Sequence, residues 1–331
     1  MLTEQNKDKR PELFSLIISK SKLFTFSFTA LTIIISYYFS LHYVRGDQVH
    51  YTNFYNDIRN VDIITAFILY RGYLGASEPI YFIIVYFVSG FIEKNIFMSL
   101  INGILMYYIS KIMISQKISK LLIFSLIFNF YFVVLFLSAE RLKFSVLFFV
   151  LFLYYFQKKK TRILFLIFSI LSHAQVIFLA ISAYIIKIYH AVSNVFINLK
   201  IKKSSYTLPI LAVLVIILFF MKDHIINKIV SYTEDGFNIF DIIKPIVFMF
   251  FTLLLYRKDF FKIILMFFPM ILGSFLFGES RIVIFAYFLF LFLSFRRSPK
   301  INIFIIITSA YFTYKGVYFL KDVMLYGTGF T

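Results

Sequence analysis

Neither cysteine nor tryptophan occurs among the 331 residues. The lack of cysteine excludes disulfides, thiol nucleophiles and thiolate metal sites. The lack of tryptophan leaves 24 tyrosines to supply the aromatic belt of a membrane interface. Acids are scarce: 16 Asp and Glu stand against 34 Lys and Arg, a net charge of +18. There is no Walker loop, G-x-G-x-x-G, H-E-x-x-H or G-x-S-x-G, so the commonest phosphate, dinucleotide, zinc-protease and serine-hydrolase signatures are missing. No D-x-D pair offers to hold a metal-bound nucleotide sugar. The histidines have no ligand spacing, so no metal and no cofactor is expected. No long polar segment could fold separately, and residues 1–331 read as a single integral membrane domain.

What is present is apolar. Hydrophobic residues make up 61% of the chain, and the mean hydropathy is +0.86. A span needs roughly 20 apolar residues to cross a hydrocarbon layer of about 30 Å, and its backbone must satisfy itself within helices. The reading is an all-α, polytopic transmembrane bundle of about 9–12 spans, counting short or re-entrant helices. Candidate spans are 23–44, 96–110, 121–138, 142–156, 208–221, 242–256, 260–277, 281–295 and 301–319. Residues 1–22 are polar and basic and read as a cytoplasmic segment. The run 23–44 is too long for a signal-peptide core and reads as a signal anchor.

Two apolar segments fit poorly as single spans. Residues 79–92 are short, and 163–189 are interrupted by Ser172 and His173. If the first dips in and returns, and the second folds as a hairpin of two short helices, the basic clusters share one side. That side then holds 22 of the 34 lysines and arginines with four acids, against twelve and twelve opposite. The positive-inside rule favours this arrangement and makes the lysine-rich side cytoplasmic. Charge in short clusters between apolar runs also speaks for topology rather than nucleic-acid binding.

On this map the far side carries loops 45–78 and 222–241. It also carries Glu140 and Arg141 in SAERLKF, His173 in ILSHAQVIF, and Glu279 and Arg281 in FGESRIVIF. Each has a structural and a functional reading. Glu78-Pro79 could only start a helix, with proline at the first position and an acid against the dipole. Alternatively, Glu78 is a carboxylate held at the interface as a base or an orienter of hydroxyls. Arg141 and Arg281 could snorkel from helix ends, yet basic residues are the minority on this side. His173 inside an apolar segment either caps a helix break or serves a site. Loop 45–78 is tyrosine-rich, with an amphipathic stretch near 57–72 suited to an interfacial helix or to stacking sugar rings. The GTGFT stretch at 327–331 reads as a flexible tail.

Asp47, Tyr51 and Tyr55, then S-E-P-I-Y through Tyr81, Arg141, the S-H of SHAQVIF and the R-I of ESRIVIF form a familiar order. Over about residues 40–295 the chain resembles the EpsG-like family of bacterial polysaccharide polymerases, which are functionally Wzy-like. Leu142 follows Arg141 where the family often has glutamine, and Ser172 precedes His173 where an aromatic is common. The resemblance implies a membrane glycosyltransferase of GT-C-like architecture in the bacterial cytoplasmic membrane, its active face periplasmic or extracellular. The implied substrates are oligosaccharide repeat units on undecaprenyl diphosphate, polymerised with release of that lipid. A chain-length regulator is a further implied partner, beside membrane lipids, and no nucleic acid is involved.

The chemistry fits these residue types. Guanidinium groups recognise diphosphate oxygens, which makes Arg141 and Arg281 the first choices and Arg71 the reserve. Glu78 or His173 would handle the acceptor proton. Asp47, Tyr51, Tyr55, Tyr81, Glu140 and Glu279 are expected to contact substrate. The alternatives are a transporter or flippase of lipid-linked sugars, which should show internal repeats and paired broken helices, an O-antigen ligase, or a membrane O-acyltransferase.

Overall fold

The computed structural model describes residues 20–198, 242–277, 279–297 and 302–330. All regular elements among these are helical. The first are α1 (Lys20–His42), α2 (Asp47–Asp57), α3 (Ile63–Leu74) and α4 (Pro79–Ser89). Next come α5 (Lys94–Ser115), α6 (Lys120–Ser125), α7 (Phe130–Leu137), α8 (Glu140–Tyr154), α9 (Lys159–Ser172) and α10 (Val176–Asn198). The last described are α11 (Ile243–Leu255), α12 (Phe260–Phe277), α13 (Glu279–Arg297) and α14 (Ile303–Tyr326).

Among the described residues, four helices are long and apolar enough to cross a membrane: Ser21–His42, Lys94–Ser115, Arg257–Leu276 and Ile303–Tyr326. Two bent pairs raise the number to six if each is one span. They are Ile63–Leu74 with Pro79–Ser89, bent by 115°, and Lys120–Phe128 with Phe130–Leu137, bent by 55°. Helix length and composition make the chain a multi-pass helical membrane protein. These four to six are counted among the described residues and leave out shorter apolar helices such as Val176–Ile186 and Ile243–Leu255, which the expected 9–12 included. The expected spans 142–156 and 242–256 are the short helices α8 and α11, of 15 and 13 residues. Span 208–221 and loop 222–241 lie outside the described residues.

Local chemistry sets the helix ends. Asp62 caps α3 by accepting from the Ile64 and Thr65 amides, both at 3.0 Å, and from the Thr65 hydroxyl at 2.6 Å. These bonds hold the exposed Asp62 carboxyl below its ordinary range. Gly75 ends α3 in the left-handed region (φ 54°), a conformation that suits glycine. Glu93, Ser119 and Asn129 cap α5, α6 and α7. Glu78 precedes α4 with Pro79 as the first helical residue, but its side chain makes no cap hydrogen bond. The sequence reading of Glu78 as a helix starter therefore holds for the backbone alone.

Packing relies on small residues where helices cross. In α5, a Cβ on Gly103 would lie 2.4 Å from Ile33 of α1. In α14, a Cβ on Gly316 would lie 1.9 Å from the Phe128 carbonyl oxygen, at the break before α7. α8 meets α9 through reciprocal bonds: Ser145 Oγ donates to Ser169 O at 2.7 Å, and Ser169 Oγ to Ser145 O at 2.6 Å. In apolar surroundings, small and hydroxylated residues let backbones approach and pair.

These contacts sort the helix ends. At one end, Lys111 of α5 reaches the Tyr154 hydroxyl of α8 at 3.4 Å, Lys120 lies over Phe24 of α1, and Arg297 of α13 lies over Tyr256 after α11. At the other end, Gln48 of α2 reaches Leu137 O of α7, and Lys94 of α5 reaches Glu140 of α8. The expected loop 45–78 is largely helical: α2 and α3 occupy it, and the stretch expected to be amphipathic from 57 turns helical only at Ile63. Segment 163–189 breaks at His173 as expected, but its second helix runs on to Asn198. The reading of 327–331 as a flexible tail is corrected for 327–330. Gly327 O accepts from the Val44 and Arg45 amides at 3.0 and 2.9 Å, and Phe330 packs edge-on against Phe319.

Candidate functional site

Three segments distant in sequence deliver titratable side chains to one buried point. The elbow between α3 and α4 brings Glu78, the first turn of α8 brings Arg141, and the break between α9 and α10 brings His173. They are 2%, 8% and 8% exposed. Arg141 Nη1 donates to both Glu78 oxygens, at 3.2 and 3.0 Å. His173 Nδ1 lies 3.2 Å from Glu78 Oε1, and its Nε2 lies 3.0 Å from Gln175 Oε1. Tyr70 of α3 donates its hydroxyl to Glu78 Oε2 at 3.1 Å, and the Ser77 amide adds a further bond at 3.2 Å.

Four donor groups thus converge on a single carboxylate. An isolated buried carboxylate would be costly, and this constellation is what makes its ionised form tolerable. Arg141 Nε donates to the Tyr51 hydroxyl at 3.4 Å. Burial pushes that hydroxyl above the ordinary phenol range, against the opposing pull of Arg141. The described bonds of Arg141 use Nη1 and Nε, which leaves its Nη2 edge for another acceptor.

A second ionic group adjoins the first through the neighbours Glu140 and Arg141. Lys94 Nζ lies 3.3 Å from Glu140 Oε1 and 2.6 Å from Gln48 Oε1. Tyr81 donates to Glu140 Oε2 at 3.0 Å. Both Glu140 oxygens are therefore taken by the protein, and this group fixes α2, α4 and α5 around the start of α8. Gln48 Nε2 also donates to Leu137 O at 2.8 Å, while Lys143 and Asn102 donate to Phe136 O at 2.8 and 3.1 Å. The carbonyls at the buried C-terminus of α7 are thereby satisfied, with cationic Lys143 against the negative end of the helix dipole. That gives fully buried Lys143 a structural role.

Of the residues singled out in the sequence, Glu78, Arg141, His173 and Tyr51 meet, and Tyr81 and Glu140 lie beside them. Tyr55 points elsewhere: its hydroxyl donates to Ile92 O at 2.8 Å, and burial pushes its pKa up to about 12, with Arg59 opposing. Asp47 and Arg71 are exposed on the surface, at the start of α2 and the last turn of α3. Glu279 and Arg281 open α13, and their side chains lie outside the described residues. The next residue, Ile282, packs where a Cβ on Gly273 would meet both it and Phe178 of α10, near the His173 break.

Sequence reasoning missed Tyr70, Gln48, Lys94 and Gln175. Lys94 carried a usable signal, being a basic residue at a helix start on the lysine-poor side, the same feature that drew attention to Arg141. Among the described residues, no three His, Asp or Glu side chains converge as metal ligands. No family model, curated protein or solved structure matches this chain.

Proposed function

We propose that this chain is a polymerase that joins oligosaccharide repeat units carried on undecaprenyl diphosphate, at the outer face of a bacterial cytoplasmic membrane. The observation that carries this reading is the buried meeting of Glu78, Arg141 and His173, at the bundle end away from the basic clusters. Intramembrane charges are rare and costly, and they mark functional sites by default. A guanidinium with a spare edge suits an oxygen-rich leaving group, and stabilising charge that develops there would be the main electrostatic contribution. In the reaction, the acceptor hydroxyl attacks the anomeric carbon. The bond from that carbon to the diphosphate breaks, the lipid diphosphate leaves with the electron pair, and the hydroxyl proton passes to Glu78 or His173. The GT-C-like architecture, the periplasmic facing of the site and a chain-length regulator as partner belong to the same proposal.

Deletion and complementation in the source bacterium, read on a gel of surface polysaccharide, test it. The deletion strain should keep single capped repeat units and lose the ladder, and Arg141→Ala should reproduce that pattern while still reaching the membrane. A full ladder from Arg141→Ala refutes the assignment of Arg141. A flippase of lipid-linked sugars is the second reading, favoured by the two bent helix pairs. Its deletion strain should lose even the single capped unit.

A further inference from the structure

The donors around Glu78 have the character of an anion receptor. A guanidinium, an imidazole, a phenol hydroxyl and a backbone amide all aim at two carboxylate oxygens. Nothing in that set is particular to a glutamate, since the same groups bind phosphoryl oxygens, which are more numerous and carry more charge. The site is also closed. Glu78, Tyr70 and Tyr51 are 2%, 0% and 6% exposed, and Glu78 fills the place where an incoming anion would meet Arg141 Nη1.

We propose that Glu78 is the resident occupant of an anion cradle formed by Arg141, His173, Tyr70 and the Ser77 amide, and that a phosphoryl group of the ligand displaces it. The identity of that ligand as a lipid diphosphate rests on the proposed function, but the displacement itself does not. The exchange trades one anion for another beside Arg141, so no buried cation is left bare. It also frees the Glu78 carboxylate from its strongest partner. A carboxylate bound by four donors is a poor proton acceptor, and one released from Arg141 is a competent one. Ligand binding would thus prepare the base: the acceptor hydroxyl gives its proton to the freed carboxylate as its oxygen bonds the anomeric carbon and the diphosphate departs.

The test is binding of inorganic pyrophosphate to the full chain in detergent, for wild type, Glu78→Gln and Glu78→Ala. Glu78→Gln keeps the shape and hydrogen-bonding capacity of the side chain without its charge, so it guards against a folding failure. If the cradle is mostly occupied by Glu78, apparent affinity falls by the fraction of molecules in which it is open. Removing the charge should therefore tighten pyrophosphate binding by about tenfold or more, and adding Arg141→Ala to Glu78→Gln should abolish the gain. Equal or weaker binding in both Glu78 variants overturns the proposal, because Glu78 would then position the cations rather than occupy their site. Geranylgeranyl diphosphate tested beside pyrophosphate separates the two sources of phosphoryl chemistry. Tighter binding of the prenyl compound points to a membrane lipid diphosphate, and equal binding to a soluble one. A full polysaccharide ladder in the deletion strain would remove the polymerase reading, and one in Arg141→Ala would remove Arg141 from it; either leaves this binding result standing.

Discussion

Removing one partner of the Glu78–Arg141 pair should cost more than removing both. Arg141→Ala takes away the only full cation within bonding distance of Glu78 in the described site and leaves a carboxylate that is 2% exposed. Breaking a buried pair in this way costs about 3–5 kcal/mol, a large part of the roughly 5–15 kcal/mol that holds a typical domain folded. For a chain of this size, about 2 °C of melting temperature is lost per kcal/mol, so the single variant should melt about 6–10 °C lower. Arg141→Met combined with Glu78→Leu replaces the pair by apolar groups of similar volume and should recover most of that loss. The cycle is read by thermal unfolding of purified protein in one detergent, with Arg141→Met alone and Glu78→Leu alone beside the double. A coupling energy of about 2 kcal/mol or more is expected, since the two groups are in direct contact. A coupling near zero would mean that the interior is wet enough to solvate Glu78 alone, and the electrostatic account of the site would fail.

Lys94→Met should strand Glu140 with only the Tyr81 hydroxyl and destabilise by about 3 kcal/mol; Glu140→Gln in the same chain should restore much of the melting temperature, and failure of that rescue would show that Lys94 acts through packing. Gly316→Ala places a methyl in steric overlap with Phe128 O, and should cost at least about 1–3 kcal/mol through overpacking; an unchanged melting curve would mean that the break before Asn129 yields easily. The Asp62 carboxyl is held low by Thr65 and Ile64, so its contribution is present above the unfolded-state pKa and is lost as pH falls through the lower folded value. Asp62→Asn should therefore show a smaller loss of stability than wild type over that acidic window, and parallel acid profiles would refute the role of the cap.

The periodic part of the fold was legible. Apolar runs located the spans at α1, α5, α12 and α14, because the length of such a run answers directly to bilayer thickness, although α5 and α14 run on past the expected ends at 110 and 319 to Ser115 and Tyr326. The interruption at Ser172 and His173 correctly located a break, since an imidazole is costly in the middle of an apolar helix and is easier to satisfy where the helix ends. The helices of the 45–78 segment were harder to see. α2 is polar along much of its length, and its hold on the bundle comes from Gln48, Tyr51, Phe54 and Tyr55 meeting partners far away in the chain. The anchoring of residues 327–330 was illegible for the same reason: Gly327 O finds its donors at Val44 and Arg45, across nearly the whole sequence.

By itself the sequence determined that this is a helical membrane protein, which few polar residues stand apart from the basic clusters, and that cysteine chemistry is impossible. Those properties are sums over local composition, and no partner is needed to know them. Only the tertiary structure decided that Glu78 pairs with Arg141 and His173 while Glu140 is consumed by Lys94 and Tyr81. Glu140 and Arg141 are adjacent in the chain, yet helical geometry sends their side chains in different directions, and the partners waiting there come from α3 and α4, α5 and the break after α9. A spacing along the chain carries no record of which distant group will come within hydrogen-bonding reach, so the pairing of these charges belongs to the fold.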